Sequence, residues 1–516
     1  GWFDLVLLTP EKKNGWSSKI ITQIDNRGPT HRAPRLHLHE DRVWFMEDRW
    51  DEPRTPETAH LVSVALDGTD KRDHLMVGGA EEVVISPDFQ WVAYRLGHQL
   101  HVAALPRVHT TVDMAALPNT QVSNIVGDWI GFTPDSQSVT WMEGPTFKQV
   151  SIDSVFEQKD EEDDTGDDEN EEEEEKEDPF ADPEGTIVRE IKLEVARTRP
   201  EGVLALTHAR LITMEGDEIL ESTNLIIRND RIVSIGGEVP EGARVIDCTG
   251  KTLIPGLIDV HAHLHFSSGD VLPEQEWRYQ TALDFGVTTV HDPSASTDLV
   301  FTQAEMVRAG RMDGPRVYST GYVLYGALGN MNAETPDQDA ARRHVRRLKA
   351  VGAYSVKVYQ QSQRERRQWY VQACKEEQIL CIPEGGGDLW MNLSMVADGF
   401  HAVEHALSTA PLHEDVLGFF GASPSTGTFG TAYTQTLAVA YGGIGGKYWY
   451  YQHRDPLDNE RLLRHTPRLD LDGEFWRGYI SARDGDWRHQ AVASSAAELA
   501  ERGVMLSLGA HGELQG

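Results

Sequence analysis

Hydrophobic and polar residues alternate along residues 202–247, and a different pattern begins at Gly256. The alternation, with Asn229-Asp230 between two β-rich runs, predicts a small β-sandwich. From Gly256 onward, short β-rich runs are separated by helical stretches such as 337–351 and 362–378. This order of elements predicts a (β/α)8 barrel of the TIM type. The eight strand candidates are residues 257–264, 287–294, 315–324, 354–359, 379–386, 401–407, 433–443 and 504–511.

The hydrophobic pattern before residue 156 is a repeat. Residues 83–94 and 130–142 each hold a β-rich run, a Ser/Thr-Pro-Asp turn and a second β-rich run, and a weaker copy occupies residues 36–46. The pairs Pro87-Asp88 and Pro134-Asp135 lie 134 − 87 = 47 positions apart. Four short strands in about 40 to 50 residues are typical of one β-propeller blade, and about three blades fit into this region. A small antiparallel β domain of another kind is the alternative.

Chain length and one acidic block define the domain organisation. A chain of 516 residues is too long for one hydrophobic core, so we expect a multidomain protein. Residues 157–178 hold 16 acidic residues against Lys159 and Lys176, which predicts a disordered linker, with a cation-binding or interaction role as the alternative. The predicted domains are propeller blades at 1–156, the acidic linker at 157–185, the β-sandwich at 186–252 and the barrel at 253–516.

Charge and composition exclude several classes of partner. The net charge of −34 repels phosphate groups, which excludes nucleic acid and anionic lipid surfaces. No run of about 18 apolar residues occurs, so we expect no membrane span. Three cysteines are too few for a disulfide framework or a thiolate zinc site. A small molecule or a short peptide-like substrate remains as the partner, and a homo-oligomer stays open.

Six side chains with metal-binding chemistry lie near the carboxyl ends of predicted barrel strands. They are His261, His263, Lys357, Glu384, His405 and His511. Because active sites of such barrels lie at that end, we expect these side chains to converge. His261 and His263 are two residues apart, so on a strand both imidazoles face one side and can bind one metal ion. A single buried histidine is more often a core residue, and only the joint pattern favours a metal centre.

Residues 251–265, KTLIPGLIDVHAHLH, resemble the opening motif of the amidohydrolase superfamily. The chain is similar in particular to imidazolonepropionase-like and prolidase-like members, and to their subgroup with an N-terminal TolB-like (PD40) propeller. The resemblance implies one or two divalent metal ions, usually zinc, that activate a water molecule for attack on an amide or related carbonyl. It also implies that His261 and His263 hold the first metal. Lys357 matches the position of a lysine that many relatives carry as a CO2-derived carbamate bridging two metals, and an ammonium paired with Glu384 is the alternative.

His405 matches the strand-six metal histidine of this superfamily, and alternation predicts that Glu404 points to the opposite face. Two positions depart from the pattern. Glu384 stands where a histidine is usual, and carboxylates are accepted zinc ligands. His511 stands where an aspartate usually acts as ligand and proton shuttle. An imidazole can do either task, but not both with the same nitrogen.

Further residues are candidates for supporting the site or contacting substrate. His265, His291 and Glu513 are spare candidates for proton transfer, and the pair His291-Asp292 is predicted to orient a metal ligand. Residues 433–452 contain four glycines and an aromatic run that includes Tyr448 and Trp449. We expect a mobile loop with an aromatic wall over the barrel mouth. Packing of these aromatics against the propeller or a partner subunit is the alternative.

The reaction predicted from these features is hydrolysis of a C–N bond, with Lys357 and His511 as the catalytic residues. Two alternatives stay open. The same metal centre would also serve an esterase or lactonase, because the activated water does not select the leaving atom. A binding protein with an impaired site, acting through its propeller, is the other.

The resemblance carries two expectations about context. A full propeller needs more blades than fit before residue 156, and a full barrel continues past strand eight, so we expect the sequence to be truncated at both ends. TolB-like propellers favour the periplasm or the outside of the cell, with the cytoplasm as the alternative.

Overall fold

The computed structural model describes residues 2–11, 15–25, 36–49, 58–106, 110–162, 179–264, 272–327, 333–421, 430–439, 444–476 and 481–512. These residues fall into two compact units. The first unit takes the described residues of 1–192 and 323–381, and the second takes those of 193–266, 272–322 and 382–516. None of the described helices is long and apolar enough to cross a membrane.

The amino-terminal part of the first unit consists of sheets whose strands are antiparallel, apart from the parallel pairing of one short strand. A hairpin of β1 (Trp2–Glu11) and β2 (Gly15–Asp25) comes first. Three meander sheets follow, each of four strands in chain order, with one extra strand beside the first sheet. They are β3 (His37–His39), β4 (Arg42–Arg49), β5 (Thr58–Ala65) and β6 (Arg72–Gly78), which also pairs with β10 (Val112–Asp113); β7 (Ala80–Ile85), β8 (Trp91–Leu96), β9 (Gln99–Ala104) and β11 (Asn119–Gln121); and β12 (Asp128–Phe132), β13 (Ser138–Glu143), β14 (Thr146–Ser151) and β15 (Ile187–Glu190).

Consecutive meander sheets share hydrophobic cores. One cluster joins Leu61 and Leu75 of the first sheet to Val92 of the second. Another joins Val102 of the second sheet to Trp141 of the third, and the Trp141 side chain is fully buried. Alternating positions on each strand supply these side chains, because every second residue of a strand faces the same side. Each sheet is therefore stabilised by its neighbour as well as by its own ladder.

The two Pro-Asp turns adopt matching conformations. In the first, Asp88 Oδ1 accepts from Ser86 Oγ at 2.6 Å and from the Gln90 N–H at 3.1 Å. In the second, Asp135 Oδ1 accepts from Thr133 Oγ1 and the Gln137 N–H at the same two distances. The predicted local repeat is thus present. The helix α1 (Ile152–Glu162) then runs into the acidic block, of which residues 163–178 lie outside the described part of the chain.

One mixed five-stranded sheet opens the second unit. Its strands are β16 (Val203–Ile212), β17 (Ile219–Arg228), β18 (Arg231–Ile235), β19 (Arg244–Asp247) and β20 (Thr252–Leu253). The predicted turn at Asn229-Asp230 joins β17 to β18, and Asn229 has a φ of 56°, a left-handed conformation that asparagine tolerates well. The two-layer sandwich stays a prediction.

Parallel strands and helices make up the rest of both units. The strands form three sheets of three: β21 (Leu257–Asp259), β22 (Val287–Asp292) and β23 (Arg316–Ser319); β24 (Leu324–Tyr325), β25 (Ser355–Tyr359) and β26 (Leu380–Pro383); and β27 (Ala402–Glu404), β28 (Ala432–Thr434) and β29 (Leu506–Ser507). The helices are α2 (Trp277–Asp284), α3 (Thr297–Ala309), α4 (Gln338–Ala350), α5 (Arg364–Glu377), α6 (Leu389–Asp398), α7 (Glu414–Phe420), α8 (Gly446–His453), α9 (Glu460–His465), α10 (Arg468–Trp476) and α11 (His489–Glu501).

Each of the eight predicted strand positions overlaps a strand, and the third contains β23 and the first residue of β24. The strands are short, however, and within the described residues they form separate sheets and not one closed ring. The ends of the first and last strands nevertheless meet, because the Val260 N–H donates to the Leu508 carbonyl at 3.0 Å. The described fold is a multidomain assembly of meander sheets and parallel β/α units.

Candidate metal centre

The site begins where β21 ends. Asp259, the last residue of β21, accepts hydrogen bonds through Oδ1 from the N–H groups of His261 at 3.0 Å and Ala510 at 3.2 Å. The His511 N–H also donates to the His261 carbonyl at 2.8 Å. Burial raises the pKa of the Asp259 carboxyl, and the two N–H donors oppose that rise. Asp259 therefore ties the segment after β21 to the segment after β29 and brings two histidines together.

Three imidazoles gather at this junction. His261, His405 and His511 each offer a nitrogen, and the three nitrogens lie within 4.8 Å of one another. The ring centroid of His261 is 4.5 Å from that of His405 and 5.3 Å from that of His511. Zinc binds imidazole nitrogen at about 2.0 to 2.1 Å, so side-chain rotations that bring these nitrogens closer together would place them on one ion. Among the described residues, this donor set fits a divalent transition metal.

Close backbone approach makes the cluster feasible. A Cβ added to Gly509 would lie 2.5 Å from His261 Cβ, and one added to Gly385 would lie 1.9 Å from the Glu404 carbonyl oxygen. Neither position has room for a side chain, so glycine is required at both. His405 and His511 themselves have left-handed backbones, with φ of 68° and 64°. Backbone conformations of this kind are concentrated at functional sites.

His263 lies beside the three imidazoles and is not one of the group. Its ring centroid is 5.0 Å from that of His261 and 4.7 Å from that of His511, and 23% of its side chain is exposed. The prediction that His261 and His263 project from one strand assumed that the strand includes both. Because β21 ends at Asp259, strand alternation does not set their directions.

Glu404 contacts the cluster, and the prediction that it points to the opposite face is wrong. Glu404 Oε2 lies 2.5 Å from His261 Nδ1, and Thr434 Oγ1 donates to Glu404 Oε1 at 3.1 Å. The alternation rule fails here because β27 ends at Glu404 and His405 turns the backbone into the left-handed region. The match to the superfamily pattern predicts His405 as a metal ligand, but it does not indicate that Glu404 contacts His261.

A second carboxylate pairs with a second imidazole. Glu384 Oε1 lies 2.8 Å from His405 Nε2, and both side chains are buried. Glu384 follows β26, as the sequence predicts, and contacts the strand-six histidine directly. Its place among metal ligands stays a prediction. Two of the three clustered imidazoles are therefore each in contact with one buried carboxylate.

Comparison with known proteins supports the resemblance seen in the motif. An imidazolonepropionase of Vibrio cholerae serotype O1 is 44% identical over 81 residues, which cover 14% of this chain and 20% of that protein. An adenine deaminase of Kosmotoga olearia is 41% identical over 98 residues, covering 19% of this chain and 16% of the deaminase. These relatives support the amidohydrolase superfamily. The chain spans about a fifth of the length of the curated relatives it matches.

Other comparisons add less. No protein-family model matches the chain. A solved Xaa-Pro dipeptidase with bound methionine is 15% identical, with a TM-score of 0.41, and covers 60% of this chain and 79% of that structure. A likeness at that level does not establish a shared fold.

The pair predicted to orient a metal ligand lies next to the segment after β21. His291 Nδ1–H donates to the Val260 carbonyl at 3.0 Å. The buried Asp292 carboxylate accepts from the Leu264 N–H at 3.2 Å and lies 3.7 Å from His263 Nδ1. Both residues therefore hold the backbone that carries His261 and His263.

The other predicted site residues divide into three cases. Lys357 is buried on β25 in the first unit, with Nζ 5.9 Å from the Tyr359 ring, and its carbamate and its catalytic role stay predictions. His265 and Glu513 lie outside the described residues. Tyr448 and Trp449 lie on α8, so the prediction of a loop at the aromatic run is wrong. Residues 447–453 contain no glycine or proline, the two residues that most strongly oppose a helix.

Proposed function

We propose that the chain is a metal-dependent hydrolase of the amidohydrolase superfamily that cleaves a C–N bond in a small amide, a cyclic amide or an X-Pro-type dipeptide. The observation that carries this proposal is the group of three imidazoles, His261, His405 and His511, with nitrogens within 4.8 Å of one another. Neutral imidazoles suit zinc and other first-row metals. The sequence relatives, named as an imidazolonepropionase and an adenine deaminase, support a reaction at a C–N bond.

The architecture that we propose around this site has four parts. They are TolB-like propeller blades at 1–156, an acidic linker at 157–185, a small β-sandwich at 186–252 and a (β/α)8 barrel at 253–516. Three consecutive four-stranded meanders, two of which carry matching Pro-Asp turns, support the blades. Parallel strands alternating with helices, and the hydrogen bond that joins the ends of β21 and β29, support the closed barrel.

His261, His405 and His511 would hold a zinc ion. A divalent cation bound there would lower the pKa of a bound water from about 15.7 toward 7 and would polarise the scissile carbonyl. Because His511 belongs to the cluster, the nitrogen that binds metal is not free to shuttle a proton.

We assign proton transfer to Glu384. Its Oε1 lies 2.8 Å from His405 Nε2, so the carboxylate is within hydrogen-bond distance of the cluster. In hydrolysis, the oxygen of water adds to the carbonyl carbon while Glu384 accepts the water proton. The same carboxyl then donates that proton to the leaving nitrogen as the C–N bond breaks, which yields a carboxylic acid and an amine. His511 has the corresponding role in the alternative assignment.

The test combines metal analysis with a substrate panel. Purified protein is dialysed with zinc and assayed for bound metal by mass spectrometry, then for hydrolysis of X-Pro dipeptides, N-acyl amino acids, lactams and aryl esters. We expect about one or two zinc ions per chain and turnover of an amide substrate. His261→Ala and His405→Ala are expected to remove both.

A matched control is His413→Ala, because His413 is an exposed histidine whose side chain makes no capping hydrogen bond at the start of α7. Full amide turnover by His261→Ala protein stripped of metal would refute the proposal. If the protein hydrolyses esters but not amides, the proposed metal centre would stand, and the proposed C–N bond would be replaced by an ester bond.

A further inference from the structure

A single buried carboxylate connects the first two strands of the third parallel sheet, β27 and β28, to the segment after β21. Glu404 ends β27 and Thr434 ends β28, and the two residues are direct partners in the parallel ladder. Thr434 Oγ1 donates to Glu404 Oε1 at 3.1 Å, while Glu404 Oε2 lies 2.5 Å from His261 Nδ1. All three side chains are buried. Thr434, Glu404 and His261 are thus linked by a continuous series of buried hydrogen bonds.

The chemistry of this set selects one form of the imidazole. An ionised carboxylate only accepts hydrogen bonds, so with Glu404 ionised the short contact is made by a proton on His261 Nδ1. A neutral imidazole with a proton on Nδ1 has its lone pair on Nε2. The second oxygen of Glu404 is held by Thr434, so the carboxylate has little freedom to rotate. A histidine that donates one N–H to a carboxylate is fixed in both tautomer and ring orientation.

We propose that Glu404 is a positioning residue that fixes His261 as the Nδ1–H tautomer and leaves Nε2 for a cation, with Thr434 setting the direction of the carboxylate. This inference rests on the proposed function, in which His261, His405 and His511 hold a metal ion. It adds a role for two residues that the metal-ligand pattern does not include. Glu404 acts through His261 and does not touch substrate.

The test measures zinc affinity and ligand geometry separately from turnover. The variants are Glu404→Ala, Glu404→Gln, Thr434→Val and Thr434→Ser. The matched control is Glu414→Gln, at an exposed glutamate that begins α7 and pairs with Arg502. Zinc dissociation constants come from competition with a chelating dye, and the Co²⁺-loaded proteins give visible absorption spectra. Far-UV circular dichroism and urea unfolding verify that each variant folds.

We expect Glu404→Ala to weaken zinc binding about 10- to 100-fold and to change the Co²⁺ spectrum, as removal of such a carboxylate does in other metal sites. The zinc affinity of Glu404→Gln should lie between those of the wild type and Glu404→Ala, because an amide oxygen still accepts from His261 Nδ1 but carries no charge. Thr434→Val should weaken zinc binding less than Glu404→Ala does. Thr434→Ser keeps the hydroxyl and should therefore bind zinc as the wild type does.

Each outcome decides between the two proposals. Wild-type protein that binds no stoichiometric metal refutes the proposed function itself. Wild-type binding that is lost in His261→Ala but unchanged within about twofold in folded Glu404→Gln and Thr434→Val refutes the positioning role alone. If Glu404→Ala does not fold, the graded order of Glu404→Gln, Thr434→Val and Thr434→Ser still decides, because a purely structural role predicts no rescue by serine.

Discussion

The Pro-Asp turns of the first unit and the histidine–carboxylate contacts of the second unit both join a carboxylate to a donor, but over different distances along the chain. Asp88 accepts from a backbone N–H only two residues away, at Gln90. Glu404 contacts His261 across 143 residues. The turn carboxylates lie at the surface, where water competes for every hydrogen bond, whereas Glu404 and His261 are buried. Damage at a turn should therefore affect stability locally, and damage at the cluster should affect binding and catalysis.

The largest effect should come from filling the backbone contact beneath the cluster. A Cβ on Gly385 would lie 1.9 Å from the Glu404 carbonyl oxygen, and neither backbone can yield easily. We expect Gly385→Ala to destabilise the second unit by more than about 3 kcal/mol and to abolish zinc binding. Urea unfolding and zinc titration measure both.

Gly387→Ala is the matched control, because no atom lies within 4 Å of the added Cβ. Equal behaviour of the two alanine variants would show that the approach of residue 385 to Glu404 is not needed for the site.

The next effect concerns chemistry without unfolding. Glu384→Gln keeps the size of a side chain that contacts His405 and removes its capacity to accept a proton. We expect kcat on the amide substrate to fall about 10²- to 10⁴-fold, which is the usual effect of losing a general base. The zinc dissociation constant should stay within about tenfold of the wild-type value. Steady-state kinetics with parallel metal analysis distinguishes the outcomes. A variant with normal kcat would return the proton-transfer role to His511.

Much of the local structure was predictable because it depends on neighbouring residues. The turns at Asp88 and Asp135, the helices α4 and α5, and the positions of eight strands follow from spacing and residue type. The contact of Glu404 with His261 was not predictable. Alternation holds only inside a strand, and the sequence does not mark where β27 ends or that His405 adopts a left-handed backbone.

Two other features of the structure also could not be predicted from the sequence. A glycine-rich run precedes α8, and because glycine adopts several backbone conformations the sequence there predicts a loop and not a helix. The contact between the ends of β21 and β29 links residues far apart in sequence, and only the folded chain shows it. The sequence predicts His511 as a metal ligand from its position at the end of the eighth predicted strand. Its closeness to His405 depends on the contact between the ends of β21 and β29.

A third, intermediate effect is an acid-dependent loss of stability in the first unit. Buried His344 donates from Nε2 to the Glu334 carbonyl at 2.9 Å and accepts at Nδ1 from Arg347 Nε at 3.1 Å, and the His98 ring packs against it. Burial first, and the Arg347 charge second, lower the pKa of His344 from 6.5 to about 3. The unfolded chain therefore binds a proton between these values that the folded chain does not.

The contribution of His344 to stability is complete above pH 6.5 and is lost as the pH falls toward 3. Each pKa unit corresponds to about 1.4 kcal/mol, so the urea midpoint of the wild type should fall more steeply over this window than that of His344→Gln. Parallel slopes in the two proteins would exclude His344 as the acid-sensitive group.

The smallest effect should come from the turns, and it separates two residues that occupy the same position in the repeat. Ser86 Oγ donates to Asp88 and accepts from the Gln90 and Trp91 N–H groups, and Ser86 is fully buried. Thr133 makes the corresponding contacts with Asp135 and the Ser138 N–H but is only partly buried. We expect Ser86→Ala to lower the free energy of unfolding by about 1 to 2 kcal/mol, and Thr133→Ala by less, because water reaches the groups it leaves unpaired. Neither variant should change zinc affinity, and a change there would show that the turns and the histidine cluster are energetically coupled.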